Sequence, residues 1–169
     1  MRDDGTDPMR LTDSASDDTM PTWSPDGKRL AFISNRSGNR DVWVLNADGS
    51  KAENLTQTPA DEWTPAWSPD GAEIAFASNR DGNWELYIAR ADGSQPKRLT
   101  KHPAADYAPA WSPDGARLAF VSERDGNAEI YVVSRDGSQL TRLTENEATD
   151  FAPAWSPDGK RIAFETYRD

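Results

Sequence analysis

Short apolar runs alternate with glycine-bearing polar turns along the whole chain. Within residues 61–100, four runs carry the alternation or the β-branched and aromatic content of strands, at 65–68, 74–78, 85–88 and 97–100. Residues that favour tight turns separate them, at 69–71, 79–83 and 91–94. The pattern predicts a meander of four short antiparallel strands. Because Trp67, Phe76 and Ile88 make both of its faces apolar, such a sheet needs a neighbour on each side.

The same unit recurs every 44 residues. The string Trp-Ser-Pro-Asp-Gly begins at four positions whose interval is 67 minus 23, or 44: Trp23, Trp67, Trp111 and Trp155. Leu-Thr recurs in the same register, at 11–12, 55–56, 99–100 and 143–144. A period of this size indicates stacked supersecondary units. Sheets packed radially around an axis form a β-propeller, and a linear stack of sheets is the alternative.

The repeat therefore predicts one all-β domain over residues 1–169, a β-propeller of four-stranded antiparallel blades. Complete blades are expected at 19–56, 63–100 and 107–144, together with a split fourth blade. The split blade would take its fourth strand from 1–12 and its first two strands from 151–169. Either it has three strands, or another chain completes it, or the sequence belongs to a longer propeller. Since an unpaired strand at 162–164 is a sticky edge, we expect a homo-oligomer or further sequence to cover it.

Composition narrows the classes of partner. The 169 residues carry a formal charge of −10, which argues against nucleic acid and anionic membranes and fits a partner with basic groups or a bound cation. There is no cysteine, so neither a disulfide nor a thiolate site can form. No run approaches the length of a membrane span, and residues 1–20 do not form a signal peptide.

The repeated unit carries a family resemblance that covers essentially the whole chain. The pattern Pro-Ala-Trp-Ser-Pro-Asp-Gly-x-x-Ile-Ala-Phe-x-Ser-x-Arg-Asp-Gly-Asn-x-Glu-Ile-Tyr, followed by Asp-Gly-Ser and Leu-Thr, resembles the blade repeat of TolB-type propellers. Similar blades occur in the propellers of prolyl-oligopeptidase-like and tricorn-like peptidases. The resemblance implies a non-enzymatic hub that binds proteins or peptides, in a periplasmic or extracellular location. Some propellers of this kind hold a metal ion near the axis, whereas TolB propellers have six blades and an additional α/β domain.

Two sets of residues are candidates for binding. Four carboxylates lie at equivalent positions before each repeated Trp: Asp18, Glu62, Asp106 and Asp150. If they converge at one mouth of the channel, they suit Ca²⁺, or a Lys or Arg of a partner; otherwise they accept backbone N–H groups in turns. The neighbouring aromatic residues are Trp63, Tyr107 and Phe151. They either stack on a peptide or sugar, or pack between blades.

Other repeated residues have structural interpretations. The Asp of each Ser-Pro-Asp-Gly string forms a turn. A second-turn arginine is predicted to bond turn carbonyls or to stack on an aromatic ring, at Arg36, Arg80, Arg124 and Arg168. Third-strand aromatic residues are predicted to pack between blades, at Trp43, Tyr87 and Tyr131.

No sequence pattern indicates an enzyme or a required cofactor. His102 is the only histidine, and there is no Gly-x-Ser-x-Gly string, phosphate loop or His-Glu-x-x-His helix. The sequence therefore favours a non-catalytic protein- or peptide-binding scaffold. Two alternatives stay open: an accessory or gating propeller of a larger peptidase, and an engineered or recently amplified propeller without a selected ligand.

Overall fold

The structure is a computed structural model that describes residue 1 and residues 3–168. All the regular secondary-structure elements of that part are β-strands, and it contains no helix that could cross a membrane. The fourteen strands are β1 (Asp18–Trp23), β2 (Arg29–Ser34), β3 (Asp41–Asn46), β4 (Glu53–Asn54), β5 (Glu62–Trp67), β6 (Glu73–Ser78), β7 (Glu85–Arg90), β8 (Lys97–Arg98), β9 (Asp106–Trp111), β10 (Arg117–Ser122), β11 (Glu129–Ser134), β12 (Thr141–Arg142), β13 (Asp150–Trp155) and β14 (Ile162–Thr166).

These strands form four antiparallel sheets in chain order. Sheet 1 is β1–β4, sheet 2 is β5–β8 and sheet 3 is β9–β12, while sheet 4 contains only β13 and β14. The all-β class and the three complete blades are confirmed. The fourth strand expected within 1–12 is not formed in the described part of the chain. That segment lies against sheet 1, where Leu11 packs against Leu30 and Phe32, as its equivalent Leu55 packs against the cluster of sheets 1 and 2.

The core lies between successive sheets. Sheet 1 contributes Ala31, Ile33, Val42 and Val44 to a cluster with Trp67, Ile74 and Phe76 of sheet 2. Sheets 2 and 3 form an equivalent cluster that includes Phe120, which is fully buried. Tyr87 and Tyr131 lie in these clusters, so the prediction that third-strand aromatic residues pack between blades is confirmed for both.

Three contacts recur where one sheet meets the next. Trp111 and Trp155 each donate through Nε1 to a carbonyl of the preceding sheet, Ala66 and Ala110, at 3.1 Å. Arg29 and Arg117 place Cζ 4.7 Å from the centroids of Trp67 and Trp155 in the following sheet. Finally, each Pro-Asp-Gly turn lies on the preceding one, so that a Cβ at the glycine would contact a proline ring, in the pairs Gly71–Pro25, Gly115–Pro69 and Gly159–Pro113.

The first strand of every sheet carries a bulge. Its register with the second strand shifts at the same place in all four sheets. A non-glycine residue with positive φ lies at each shift: Met20 (53°), Thr64 (48°), Ala108 (52°) and Ala152 (51°). A left-handed residue of this kind bends a strand, and it precedes the repeated Trp by three residues. The bulge thus helps to aim that Trp at the preceding sheet.

The Asp-Gly-Ser turns also lie against the preceding repeat. A Cβ at Gly93 would come 2.4 Å from the carbonyl oxygen of Leu55, and one at Gly49 would come 2.7 Å from that of Leu11. Both glycines have positive φ, 80° and 84°. Neither position can therefore accept a larger residue without a backbone shift.

Candidate binding site

The four predicted carboxylates each begin a first strand, and each is paired with the second-turn arginine of its own sheet. The Arg Nη2 to carboxylate distances are 2.8 Å for Arg36–Asp18 and 3.0 Å for both Arg80–Glu62 and Arg124–Asp106. Arg168 pairs with Asp150 in the same way. Apart from Asp18, whose side chain is 14% exposed, these carboxylates are fully buried. A cation of a partner therefore cannot reach three of the four.

Arg36, Arg80 and Arg124 are each held on two further sides. Arg80 Nε donates to Ser78, and its Cζ lies 4.5 Å from the centroid of Tyr87. Arg124 repeats both contacts with Ser122 and Tyr131. The corresponding distance for Arg36 over Trp43 is 4.7 Å, and Arg168 lies 5.5 Å from Phe164. The prediction that these arginines stack on aromatic rings is confirmed, and the unit of carboxylate, serine, arginine and ring is structural.

Burial and pairing pull the pKa values of these acids in opposite directions. Burial raises the pKa of Glu62 and of Asp106 above the usual range, despite the neighbouring arginine. At Asp18 burial also raises the pKa, but hydrogen bonds from Ser34 and Arg36 outweigh it and leave the pKa lowered. The pKa of Asp150 is lowered by the bonds from Thr166, Asn146 and Arg168, which exceed the effect of burial. The four sites are thus equivalent in sequence but not in electrostatics.

The geometry does not fit the calcium ion that the sequence predicted at Asp18, Glu62, Asp106 and Asp150. Each carboxylate is turned toward the arginine of its own sheet. Among the residues that the structure describes, no three acidic, histidine or cysteine side chains are grouped so that they could hold a metal. Calcium binds through six to eight converging oxygens, which four separate ion pairs do not supply.

We accordingly expect millimolar calcium to leave the melting temperature of the chain unchanged, because no vacant oxygen cage stabilises the folded state. Differential scanning fluorimetry with and without chelator measures this, with magnesium as the control ion. A calcium-specific rise in melting temperature would reinstate the metal site.

The three predicted aromatic residues lie at the same end of the sheets as these carboxylates, but most of their surface is packed. Tyr107 and Phe151 belong to clusters between sheets, and Tyr107 donates to Glu123 at 3.3 Å. Trp63 is 37% exposed, with its ring 5.8 Å from that of Trp84. Packing between blades therefore describes Tyr107 and Phe151, while Trp63 keeps an accessible face.

A second set of buried acids, for which the sequence predicted no role, lies at the start of each third strand. Asp41, Glu85 and Glu129 are at most 1% exposed. Glu85 accepts bonds from Thr100 and Arg98, both at 2.7 Å, which tie the third strand to the fourth. The sequence signal that could have identified them is an acid, repeated every 44 residues, at the first position of an otherwise apolar strand.

A groove of about 480 Å³ lies between sheets 3 and 4. Apolar side chains of both sheets line it: Ile130, Val132, Leu143, Trp155, Ile162 and Phe164. Three cations, Arg117, Lys160 and Arg161, also line it. In sheets 1 to 3 the strand equivalent to β14 pairs with a third strand, whereas β14 pairs only with β13 in the described part of the chain. The groove thus runs beside an unpaired strand edge.

Side chains around this groove are more exposed than their equivalents one repeat earlier. Leu143 is 49% exposed, whereas Leu99 is 8% exposed, because Tyr131 and Val133 of the following sheet belong to the cluster that covers Leu99. Arg168 is 43% exposed, compared with 14% for Arg124. The groove is therefore the place that a third strand occupies in the other sheets.

Comparison with known proteins identifies relatives of this architecture. The family model for the TolB beta propeller domain matches residues 53–169. A TolB homolog of Chlorobium luteolum is 44% identical over 46 residues, which span 27% of this chain and 11% of that relative. The match thus covers a small part of the curated relative.

Solved structures extend the likeness to nearly the whole chain. TolB from Acinetobacter baumannii is 27% identical with a TM-score of 0.83, over 96% of this chain and 41% of that one. The structure of putative TolB from Agrobacterium tumefaciens is 24% identical with a TM-score of 0.77, over 93% of this chain and 72% of that one. A puromycin hydrolase structure shares the fold at 20% identity and a TM-score of 0.74, over 94% of this chain and 28% of that one.

Proposed function

Because the chain belongs to the TolB beta propeller domain family, we propose that it is a non-catalytic scaffold that binds proteins or peptides. The observation that carries this proposal is the groove beside the unpaired edge of β14. Backbone N–H and C=O groups on a free edge pair with an added strand, and a lining groove selects its side chains. The ligand class is therefore an extended peptide segment.

The complete sheets indicate which side chains this segment carries. Tyr131 lies opposite Phe120 and Val133 opposite Leu118 in the register of β10 and β11. Both side chains point toward the preceding sheet. The equivalents of Phe120 and Leu118 in sheet 4 are Phe164 and Ile162, so an aromatic residue followed two positions later by an aliphatic one fits the groove. Arg168, which already lies over Phe164, is placed to stack on the aromatic residue.

The net charge of the chain and the local charge at the groove each favour a particular charge on the partner. The net charge of −10 favours a partner with basic groups over the surface as a whole. At the groove itself, Arg117, Lys160 and Arg161 favour an acidic residue near the bound strand. By resemblance to TolB, we place the protein in the periplasm or another extracellular compartment.

The chemistry at the described residues is consistent with a non-catalytic role. The buried acids are engaged by arginine, serine or threonine. The single histidine, His102, accepts a hydrogen bond from the backbone N–H of Ala104 through Nδ1. Likeness to the puromycin hydrolase is below 25% identity and concerns the fold alone, so it gives the accessory-propeller alternative no residue-level support.

Binding is tested with a fluorescently labelled peptide that copies residues 127–135. We expect saturable binding by anisotropy, and loss of binding when the positions of Tyr131 and Val133 in the peptide are both serine. Leu143→Asn in the protein should weaken binding about tenfold, because an exposed groove leucine loses its contact with the strand.

Leu140→Asn is the matched control, because Leu140 is 45% exposed and does not line the groove. Both positions are exposed, so folding should survive each change. Equal binding of the two peptides, or an equal effect of the two leucine variants, would contradict the proposed site.

A further inference from the structure

The two ends of the sheet series carry matching halves of the contact that joins neighbouring sheets. At one end, Trp23 of sheet 1 is 54% exposed, whereas its equivalent Trp67 is 7% exposed against sheet 1. At the other end, Ala154, Pro157 and Arg161 of sheet 4 face no further sheet in the described part of the chain, and Ala154 is exposed where its equivalent Ala110 is half-buried. Their equivalents one repeat earlier, Ala110, Pro113 and Arg117, contact sheet 4.

We propose that a second copy of the 169-residue chain docks head to tail, with its sheet 1 on sheet 4 of the first copy. This interface goes beyond the proposed peptide groove, with which it shares Arg161, and it does not rest on peptide binding. The contacting residues follow from extending the contacts between sheets 3 and 4 by one more repeat. Trp23 of the second copy donates through Nε1 to the carbonyl of Ala154, stacks under Arg161, and brings Gly27 against Pro157.

Two of these contacts recur within the chain and the third occurs at every junction. The indole bond is made by Trp111 and Trp155. Stacking of the arginine on the following Trp is made by Arg29 and Arg117. Where the equivalent residue is Glu73, Arg135 lies over Trp111 instead and bonds Glu73 at 2.9 Å. The proline–glycine contact occurs at all three junctions. Because Arg161 restores the arginine, sheet 4 presents the form of contact seen at the junctions of sheets 1 with 2 and 3 with 4.

The receiving face of sheet 4 is made of small apolar side chains and one acid. Ala152, Ala154 and Ala163 are exposed. Glu165 is also exposed, at the position held by Ile33, Ala77 and Val121 in the complete sheets, where those residues are buried. A lone carboxylate on the docking face weakens the contact, since it loses water on association. We therefore expect reversible, concentration-dependent association.

The contact is heterologous, because the two copies use different surfaces. Such contacts close into a ring when the rotation per copy fits and otherwise extend into open chains. In either case Trp23 is the buried aromatic anchor, and residues of this type dominate the energy of most interfaces.

Sedimentation velocity over a wide concentration range tests the proposal. We expect association of the unaltered chain, and at least a tenfold rise in the dissociation constant for Trp23→Ser. Trp63→Ser is the matched control, because Trp63 is also a partly exposed first-strand Trp but lies away from both end faces. Glu165→Val should lower the dissociation constant, because it restores the apolar residue of the complete sheets.

Cross-linking identifies the surfaces that meet. The chain has no cysteine, so Lys28→Cys and Pro157→Cys each give one reactive thiol. A short bismaleimide should link a mixture of the two variants far more than either variant alone. A chain that stays monomeric at all concentrations, equal effects of Trp23→Ser and Trp63→Ser, or linkage within each single variant would each overturn the head-to-tail contact. The peptide titration, run below the association range, stands or falls separately.

Discussion

Phe120→Ala is expected to lower the free energy of unfolding by about 3–5 kcal/mol. Phe120 has no exposed surface, and its ring lies 5.9 Å from that of Tyr131 within the cluster between sheets 2 and 3. Truncation removes the transfer free energy of the ring and leaves a cavity that sheets on both sides hold open. Urea denaturation followed by tryptophan fluorescence measures the loss.

The repeat provides the control for this change. Phe164 is the equivalent residue of sheet 4 and lines the open groove, so its surroundings are solvated on one side. We expect Phe164→Ala to cost less than half as much as Phe120→Ala. Equal losses at the two positions would show that sheet 4 is as tightly covered as sheet 3.

Arg124→Ala is expected to destabilise the protein by about 3 kcal/mol, because it leaves the fully buried carboxylate of Asp106 without its cation. It also removes the stacking over Tyr131. The equivalent change at the pair whose arginine is more exposed, Arg168→Ala, should cost less, because bonds from Thr166 and Asn146 still hold the Asp150 carboxylate. Asp106→Asn in the Arg124→Ala background should recover part of the loss, since it removes the unpaired charge.

The pH dependence of this variant has a defined sign. Burial already raises the pKa of Asp106, and loss of Arg124 raises it further. A carboxyl with a raised pKa binds its proton more readily in the folded than in the unfolded state, so stability increases as the pH falls through that pKa. The deficit of Arg124→Ala relative to the unaltered chain should therefore be smaller near pH 4 than near pH 7. A deficit that is constant with pH would mean that the lost stacking, and not the uncompensated charge, dominates.

The strand positions and the stacked architecture were predictable because turn residues and apolar runs repeat in register. Trp23 and its equivalents fixed the period, and each strand then needed only local alternation. The prediction missed the residues whose roles depend on the next strand. Glu85 reads as one acid among 29 until its bonds to Thr100 and Arg98 are seen.

The acidic ring shows the same limit in the candidate site. Sequence placed Glu62 and Asp106 at equivalent positions, and position alone suggested that their charges converge. The arginine of the second turn lies 18 residues away in sequence, at Arg80 and Arg124, and the antiparallel pairing of the first two strands brings it to the carboxylate. Side-chain direction, which a spacing does not specify, decides between a shared ring and separate ion pairs. The left-handed alanine Ala108 was likewise unpredictable, because alanine carries no local signal for positive φ.

The close approach of Gly93 to Leu55 has a consequence for the size of any closed circle that these repeats could form. Where one repeat touches the one before it through bare main chain, the angular step between them depends on the thickness of two backbones. A methyl group at that point would push the two repeats apart on one side and so increase the angle between them. With a larger angle per repeat, fewer repeats complete a full turn. The angle between neighbouring repeats therefore depends on these few hydrogen atoms.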